Sequence, residues 1–401
     1  MKKQDKSIEE LLTRAVEHIY PSADFFRVAL EKKKLTIYHG IDPTGTTLHI
    51  GHGVVLKKLR DLQRLGHTII LLIGDFTAQI GDPTDKLAVR KQLTREQVLT
   101  NCRNYQKQAS TFLDFNSKTN PVTVRFNSEW TSALTPEELT AIASEFTVQQ
   151  FLERDMFQER LKAGKPIHVH EFLYPLFQGY DSVAMDVDME VGGNDQTFNM
   201  LIGRDMMARR GKEKFVMTLK LLADPTGKKM GKTEGNMITL EDAPEEMYGK
   251  VMAWGDGMIV GGFELCTDVP MDEVHAIAQQ LRREDINPRD VKMRLAREIV
   301  TLYHGAGSTK KAEAAFVQTF QKHETPDDIK ELRIKNHELG ITDLLVKTGL
   351  ATSKGEARRL IEQGGVKVDG KVVEDAQAII KPSKKGILVQ KGKRYFVRVS
   401  S

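Results

Sequence analysis

The sequence is poor in cysteine and contains no long apolar run. Its two cysteines, Cys102 and Cys266, lie far apart in a chain of 401 residues. They therefore support neither a disulfide framework nor the ligand spacing of a zinc site. The longest aliphatic run, Ile69 to Ile73, is far too short to cross a bilayer. The N-terminal MKKQDKSIEELL lacks the apolar region of a secretory signal, so we expect a cytoplasmic protein with no membrane partner.

Length and charge indicate several domains and a polyanionic partner. A chain of 401 residues exceeds one average domain, and 40% hydrophobic with 28% charged residues is typical of globular proteins rather than collagen-like or disordered ones. The net charge of +4 is unevenly distributed, because residues 341–401 contain 13 Lys and Arg against six Asp and Glu. This basic tail predicts binding to a polyanion. A solvated tail that only keeps the protein soluble is the alternative.

Hydrophobic periodicity predicts a parallel sheet near the N-terminus. Residues 7–34 show helical spacing, and the apolar, β-branched LTIYHGI that follows indicates a buried strand. Apolar positions from Gly51 to Leu65 lie on one helix face, with Gly66 ending the helix, and HTIILLI indicates the next strand. Strand, helix and strand in this order predict a βαβ unit, hence a parallel sheet covered by helices.

The remaining pattern divides the chain into regions. We predict an α/β domain at 1–235 with a helical insertion at about 128–178, then a mostly helical domain at 236–325. A polar linker at 326–340 leads to a small α+β domain at 341–401.

The predicted C-terminal domain combines two short helices with a hairpin. One helix ends at Gly349, a capping box of Ser353 and Glu356 opens the next, and Asp369-Gly370 forms the turn of a hairpin. Basic residues on this helix and hairpin suit contact with a phosphate backbone. They are Lys354, Arg358, Arg359, Lys367 and Lys371.

Two histidines follow the first predicted strand. His49 and His52 in LHIGH are three positions apart at a helix start, and helix N–H groups with imidazole donors suit a triphosphate. Gly51 between them would let a flat base lie against the backbone. A pair of surface histidines in a loop is the alternative.

A second cationic motif lies at KKMGKT, residues 228–233. Lys229 and Lys232, with Gly231 between them, would form a flexible clamp for phosphates. A solvated, lysine-rich turn is the alternative interpretation of this motif taken alone.

Together these motifs carry a family resemblance. LHIGH and KMGKT resemble the two signatures of class I aminoacyl-tRNA synthetases, and IYHGIDPTG, IGDPT, FNSEW, YPLFQGYDS and VGGNDQ, in this order, resemble the tyrosyl branch. The tail is similar to the S4 RNA-binding domain of bacterial tyrosyl-tRNA synthetases. The resemblance covers essentially the whole chain. It implies an α/β fold: a Rossmann-type parallel-sheet catalytic domain, a helical domain and a small α+β S4-like domain.

The resemblance also implies the reaction and its partners. Such an enzyme activates L-tyrosine with ATP to tyrosyl-adenylate and transfers the tyrosine to the 3′ end of tRNA(Tyr). ATP is a substrate with Mg²⁺ bound through its phosphates, no protein-bound metal is expected, and the enzyme works as a homodimer built through the helical insertion. The alternatives are a tryptophanyl-tRNA synthetase-like enzyme and a non-catalytic RNA-binding paralogue.

Site residues are implied position by position. Tyr38 and Asp181 match the positions that meet the tyrosine hydroxyl, and Asp82, Tyr174 and Gln178 match those that meet the ammonium. The full set of implied tyrosine-binding residues is Tyr38, Asp82, Asn127, Tyr174, Gln178, Asp181 and Gln196. The implied ATP-binding residues are His39, Gly40, Asp42, Gly51, Gly193, Asp195 and Met230. The implied catalytic residues are Thr44, His49, His52, Lys86, Arg90, Lys229, Lys232 and Thr233.

Two further groups of polar residues are expected to have no catalytic role. His168 and His170, two positions apart before a helix, are more typical of a loop or interface than of a metal site. Asp186, Asp188 and Glu190 alternate before a buried strand, so we expect a solvated edge there.

Overall fold

The computed structural model of the chain describes residues 3–83, 93–224, 237–320, 330–334, 338–382, 386–392 and 395–400. Contacts divide the chain into two compact units, residues 1–305 and 306–401. Within the described ranges, no helix combines the length and apolar character needed to span a membrane.

The first unit is built on a six-stranded sheet. Its strands are β1 (Val16–Tyr20), β2 (Thr36–Ile41), β3 (Thr68–Ile73), β4 (Thr123–Phe126), β5 (Met189–Gly193) and β6 (Phe215–Leu219). The spatial order is β1-β6-β5-β2-β3-β4, with all neighbours parallel except the antiparallel β1–β6 pair. The carboxyl ends of the five parallel strands therefore lie along one edge of the sheet, where polar residues at strand ends converge.

Helices connect these strands and continue beyond them. They are α1 (Lys3–Thr13), α2 (Ala23–Lys32), α3 (Ile50–Arg64), α4 (Thr77–Ile80), α5 (Arg95–Cys102), α6 (Tyr105–Ala109), α7 (Ser128–Thr131), α8 (Pro136–Ser144), α9 (Val148–Leu152), α10 (Asp155–Lys162), α11 (His170–Met185), α12 (Thr197–Arg209), α13 (Pro244–Met252), α14 (Ile259–Cys266), α15 (Met271–Arg282) and α16 (Pro288–Phe320). Helix α16 is broken at Gly305, which has non-helical backbone angles.

The predicted βαβ unit is confirmed as β2, α3 and β3. Helix α3 ends at Arg64, and Gly66 has the positive φ of 97° expected of a helix-terminating glycine. Strand β3 is buried along all but its first residue, which explains its continuous hydrophobic sequence.

The helical spacing of residues 7–34 corresponds to helix in only part of the segment. The segment forms α1, then β1, then α2, and Ala15 adopts a left-handed φ of 60° where α1 gives way to β1. Strand β1 pairs with β6, with Tyr20 opposite Val216. Pairing with a distant strand outweighs the helical spacing of the local sequence, because tertiary contacts override weak intrinsic propensities.

The second unit is a small α+β domain. It contains β7 (Lys330–Arg333), β8 (Leu339–Gly340), α17 (Ile341–Lys347), α18 (Lys354–Glu362), β9 (Val366–Val368), β10 (Lys371–Val372), β11 (Ile379–Ile380), β12 (Ile387–Lys391) and β13 (Tyr395–Ser400). Five strands form one sheet in the order β10-β9-β12-β13-β7, and β11 pairs with β8. Together with the helices and mostly parallel sheet of the first unit, this domain confirms the predicted fold class.

Part of the predicted linker is ordered in this second unit. Strand β7 pairs in parallel with β13, and Ile334 is buried in the domain core. The segment looks polar because β7 is an edge strand, where alternating charged residues are common.

The predicted helix end and hairpin turn of this domain are present, but the predicted capping box is incomplete. Gly349 has a φ of 77°, and Asp369 and Gly370 have φ angles of 47° and 80° in the turn between β9 and β10. Ser353 Oγ accepts from the N–H of Glu356, but the Glu356 carboxylate accepts from the N–H of Thr352 rather than that of Ser353. Only half of the predicted capping box is therefore formed.

Candidate active site

A cavity of about 970 Å³ lies at the carboxyl edge of the sheet in the first unit. Its walls come from the ends of β2 and β5, the start of α3 and one face of α11. The structure brings together there the predicted residues Tyr38, His39, Gly40, Asp42, Thr44, His49, Gly51, His52, Asp82, Asn127, Tyr174, Gln178, Asp181, Gly193, Asp195 and Gln196. The predicted residues Lys86, Arg90, Lys229, Met230, Lys232 and Thr233 lie outside the described residues.

Tyr38 and Asp181 are both buried and both line this cavity. Tyr38 Oη lies 2.9 Å from Ser182 Oγ. The Asp181 carboxylate accepts from Nε1 of Trp130 at 2.7 Å and from Nδ2 of Asn127 at 3.4 Å. Burial raises the pKa of Asp181 well above its ordinary value, while these two donors oppose that rise. The result is an oriented, desolvated carboxyl group beside a phenol, suited to recognising a hydroxyl.

A second carboxylate, Asp42, is fixed at the end of β2. It accepts from the Tyr174 hydroxyl at 2.8 Å and from the Thr77 hydroxyl at 2.7 Å. A Cβ atom on Gly74 would lie only 2.0 Å from Oδ1 of Asp42. Glycine is therefore required at position 74 for the carboxylate to occupy this place.

Amide side chains link further carboxylates around the same cavity. Gln196 Nε2 donates to Oδ2 of Asp82 at 2.8 Å, and Asn199 Nδ2 donates to Oε1 of Gln196 at 3.1 Å. Gln178 Nε2 donates to Oε1 of Glu190 at 3.0 Å. Gln196 and Gln178 each face a carboxylate, which determines the orientation of the amide, and the oxygen of Gln196 in turn orients Asn199.

The two histidines of LHIGH form an unusual start to α3. His49 Nδ1 accepts from the N–H of Gly51 at 3.1 Å, and His52 Nδ1 accepts from the N–H of His49 at 3.1 Å. The two rings lie 3.9 Å apart between centroids. A neutral imidazole that accepts at Nδ1 carries its proton on Nε2. Both rings can therefore donate hydrogen bonds to an anion at the helix N-terminus.

Gly51 lines the cavity and lies close to the ring of His49. A Cβ atom there would lie 3.0 Å from the ring of His49. The absence of a side chain at Gly51 therefore makes room for the histidine ring, and the stacking of a flat base on this glycine stays a prediction.

His39 is buried with its proton on Nδ1. Its Nδ1 lies 2.8 Å from the carbonyl oxygen of Val191, which can only accept, so Nε2 is an acceptor. Among the described residues, no atom pairs with this buried Nε2. Burial lowers the pKa of His39 to about 4. The ring is therefore neutral at physiological pH and lines the cavity as an acceptor.

The lowered pKa of His39 predicts a specific pH dependence of stability. The unfolded chain binds a proton at this histidine near pH 6.5 and the folded chain only near pH 4, so stability falls as pH decreases through that window. Between pH 7 and 5, the wild-type chain should lose about 2 kcal/mol more than His39→Asn does. Urea unfolding of both proteins at the two pH values measures the difference, and equal losses would contradict the buried neutral histidine.

The predicted solvated edge is wrong for one of its three acids. Asp186 is exposed and pairs with Lys212, and Asp188 accepts from the N–H of Thr36 at 2.8 Å. Glu190, however, is buried and pairs with the buried Lys214. It lies on β5, an interior strand of the sheet, so alternation along the strand does not expose it.

Sequence reasoning missed several residues that support the site. Trp130 and Ser182 fall inside quoted motifs, FNSEW and YPLFQGYDS, so their position beside Asn127 and Asp181 was an available signal. Thr77 and Lys214 had none, because each reaches its partner only through the folded chain.

His168 and His170 lie at the start of α11, with ring centroids 5.7 Å apart. Within the part of the chain that the structure describes, no group of three or more His, Cys, Asp or Glu residues is arranged to hold a metal ion.

The predicted RNA-contacting residues lie in the second unit. Lys354, Arg358 and Arg359 are exposed on α18, Lys371 is exposed on β10, and Lys367 is partly exposed on β9. Lys354 also forms an ion pair of 2.7 Å with Asp343.

Comparison with known proteins decides the family. Residues 30–321 match the profile of class I tRNA synthetases for tryptophan and tyrosine, and residues 321–399 match the SYY-like C-terminal domain of tyrosine–tRNA ligases. The tyrosine–tRNA ligase of Thermotoga maritima is 44% identical over 98% of this chain and 96% of its own. This chain belongs to the tyrosyl-tRNA synthetase family. The tyrosine–tRNA ligase of Moorella thermoacetica is 45% identical over 97% of this chain and 94% of its own.

Solved structures of tyrosyl-tRNA synthetases share the fold. A C-terminally truncated mitochondrial tyrosyl-tRNA synthetase from Aspergillus nidulans superposes with a TM-score of 0.65 at 20% identity, covering 80% of this chain and 95% of its own. The tyrosyl-tRNA synthetase from Archaeoglobus fulgidus, solved with L-tyrosine, has a TM-score of 0.59 at 22% identity, covering 77% of this chain and 99% of its own.

Proposed function

We propose that this chain acts as a tyrosine–tRNA ligase that uses ATP to activate L-tyrosine and then esterifies tRNA(Tyr). The observation that carries the proposal is one cavity whose residues suit both a phenolic hydroxyl and a triphosphate. Buried Tyr38 and Asp181 suit a phenolic hydroxyl, and the α3 N-terminus with His49 and His52 suits a triphosphate.

The chemistry requires position and charge rather than a covalent enzyme intermediate. The tyrosine carboxylate attacks the α-phosphate of ATP in line, and pyrophosphate leaves with the tyrosyl-adenylate remaining bound. The activated carboxyl group then passes to the terminal adenosine of the tRNA. Mg²⁺ arrives on the ATP phosphates as part of the substrate, and the protein orients the reactants and stabilises developing charge.

The tyrosine site would be divided by polarity. Asp181 would accept from the substrate hydroxyl beside Tyr38, and Asp82, Tyr174 and Gln178 would surround the ammonium. Asn127 supports Asp181, and Gln196 would face the reacting carboxyl group. The burial of Asp181 and its two donors support this assignment, since a desolvated acceptor distinguishes a phenol from a phenyl ring.

The ATP site would occupy the rest of the cavity. His39 would accept from a ribose hydroxyl through Nε2, and His49 and His52 would donate to phosphates through Nε2–H. The remaining proposed nucleotide contacts are Gly40, Asp42, Thr44, Gly51, Gly193, Asp195 and Met230. The proposed cations and hydroxyl that reach pyrophosphate are Lys86, Arg90, Lys229, Lys232 and Thr233.

Esterification of tRNA tests the whole reaction. The enzyme, ATP and total tRNA should incorporate labelled tyrosine and not labelled tryptophan, whose indole offers no hydroxyl to Asp181. Incorporation of tryptophan alone would instead support the tryptophanyl alternative, and a lack of both would support a non-catalytic RNA-binding protein.

We also propose that the enzyme is cytoplasmic and that the predicted regions of its chain have separate roles. Residues 1–235, with the helical insertion at 128–178, would form the catalytic domain that activates tyrosine. Residues 236–325 would form a helical domain that follows it. Residues 341–401, predicted to follow a linker at 326–340, would act as an S4-like tRNA-binding domain, to whose sheet β7 of the predicted linker belongs. The exposed cations on α18 and the β9–β10 hairpin support tRNA binding by this domain.

Removal of two of these cations should weaken tRNA binding through electrostatics. Replacing Arg358 and Arg359 by Ala should flatten the plot of log affinity against log salt by about one to two units, because fewer counterions are released. Filter binding of tRNA across a salt series measures the slope. An unchanged slope would place the tRNA elsewhere.

A homodimer is supported by apolar side chains in the helical insertion. Val148 is 63% exposed, Leu161 52% and Val169 79% in the single chain. All three residues fall between positions 148 and 169 of the insertion, and exposed apolar surface is what a partner subunit would cover.

Light scattering should therefore return a dimer at micromolar concentration. Val169→Asp together with Val148→Asp should shift the mass toward the 45.2 kDa chain, because a charge in an apolar interface is costly to desolvate. A wild-type particle of monomer mass would contradict the proposed dimer.

A further inference from the structure

A buried ion pair lies at the wall of the cavity beside the proposed tyrosine site, where Glu190 is one of the lining residues. Glu190 and Lys214 are both buried, and Lys214 Nζ donates to Oε2 of Glu190 and, at 3.1 Å, to the carbonyl oxygen of Met200. The same ammonium lies 5.7 Å from the centroid of the Tyr38 ring. None of the roles assigned so far explains why this charged pair is buried here.

The fold makes room for this pair. Glu190 on β5 lies opposite Tyr38 on β2 in the parallel register. A Cβ atom on Gly203 of α12 would lie 2.6 Å from Nζ of Lys214 and 2.9 Å from Oγ of Ser182. The absence of a side chain at Gly203 therefore lets the Lys214 ammonium and Ser182 pack beside the ring of Tyr38.

The other Glu190 oxygen controls an amide of the cavity wall. Glu190 Oε1 accepts from Nε2 of Gln178 at 3.0 Å. Gln178 Oε1 is buried and has no hydrogen-bond partner among the residues that the structure describes. A flipped amide would place two oxygens face to face, so the carboxylate determines the orientation and leaves the amide oxygen to be satisfied by another donor.

We propose that Glu190, held by Lys214, is a positioning residue that orients Gln178 so that its amide oxygen accepts from the ammonium of the amino-acid substrate. This inference rests on the proposed placement of Gln178 at the substrate amino group. It assigns to a buried acid, which acts through the amide of Gln178, a share in amino-group recognition. Lys214 supplies the positive charge that compensates the buried acid away from water.

The hydrogen bonds predict what Glu190→Gln would do. The new amide oxygen would accept from Lys214, so its NH₂ group would face Nε2 of Gln178. Two facing donors would make Gln178 turn its NH₂ group toward the substrate ammonium. In the double variant Glu190→Gln/Lys214→Met, no ammonium holds the new amide oxygen, so this oxygen is free to accept from Gln178, which restores the original orientation.

Three ligands separate amino-group recognition from general packing. L-tyrosine has both the ammonium and the carboxylate, L-tyrosinol has only the ammonium, and 3-(4-hydroxyphenyl)propionate has only the carboxylate. Equilibrium binding without ATP should show Glu190→Gln weakening L-tyrosine and L-tyrosinol roughly tenfold, because a hydrogen bond to a charged group is lost. Binding of 3-(4-hydroxyphenyl)propionate should change by less than about twofold.

Matched variants make the result decisive. The double variant should recover most of the lost L-tyrosine affinity, and Lys212→Met, which removes an exposed lysine from the same loop, should leave all three ligands unaffected. Equal weakening of all three ligands by Glu190→Gln, or no recovery in the double variant, would overturn the positioning role. Gln178→Leu tests the underlying site separately: if it shows no ammonium-specific loss, the proposed role of Gln178 fails whatever Glu190 does.

Discussion

Asp181→Asn is expected to lower kcat/KM for tyrosine about 100-fold while leaving that for phenylalanine nearly unchanged. The substitution keeps the shape of the side chain but replaces one of its two acceptor oxygens by an NH₂ group, so the substrate hydroxyl would lose its acceptor. Trp130 and Asn127 donate to different oxygens of the Asp181 carboxylate. The asparagine amide has only one oxygen, so its NH₂ group would face one of these two donors. Pyrophosphate exchange with each amino acid measures both constants.

The amino-acid dependence separates recognition from folding in this experiment. Phenylalanine makes no hydrogen bond to Asp181, so its weak activity reports the integrity of the rest of the site. Asp186→Asn, in an exposed acid just beyond the end of α11, is the matched control and should leave both constants unchanged. Equal losses for the two amino acids in Asp181→Asn would show that Asp181 supports the structure rather than reading the hydroxyl.

Removal of residues 325–401 should leave tyrosine-dependent pyrophosphate exchange within about twofold while lowering tRNA charging by two orders of magnitude or more. The cation-rich tail would supply salt-dependent affinity for the tRNA, whereas every described residue lining the cavity precedes position 238. The cut lies before β7, because β7 pairs with β13 and a cut at Leu339 would leave that strand without its partner.

Thermal unfolding of the truncated protein is the necessary control. A folded remainder that lost exchange activity would place part of the tail in the active site and contradict the proposed division. Full tRNA charging by the truncated protein would contradict the proposed role of the tail instead.

Local patterns were sufficient for the central part of the fold. The βαβ unit was predictable because β2 and β3 are largely buried strands with continuous hydrophobic sequences. Gly66, which follows α3 and has a positive φ, marks the end of that helix in the sequence. Of the site residues on these elements, the two histidines of LHIGH followed from their position at the start of α3, and the others were implied by the family resemblance. Bringing Tyr38 and Asp181 into one site, by contrast, depended on the family resemblance, since no local pattern relates two such distant residues.

The features that the sequence did not reveal share a physical cause, which is pairing between segments that are distant in the sequence. Strand β1 forms against β6, about 200 residues away, and helical spacing cannot report such a partner. Glu190 and Lys214 are separated by 24 positions and each looks like an ordinary surface charge. Only the packing of β5 between neighbouring strands, and the space left by Gly203, make burial of this pair possible.

Tyrosine-dependent pyrophosphate exchange by the wild-type chain tests the central claim most directly. With ATP and Mg²⁺, tyrosine should drive rapid exchange, and phenylalanine should be disfavoured by about 10⁵ in kcat/KM, the discrimination known for enzymes that hydrogen-bond the tyrosine hydroxyl. Tryptophan should drive none. Exchange driven by tryptophan, or by phenylalanine as well as by tyrosine, would contradict a site in which buried Asp181 and Tyr38 read the hydroxyl.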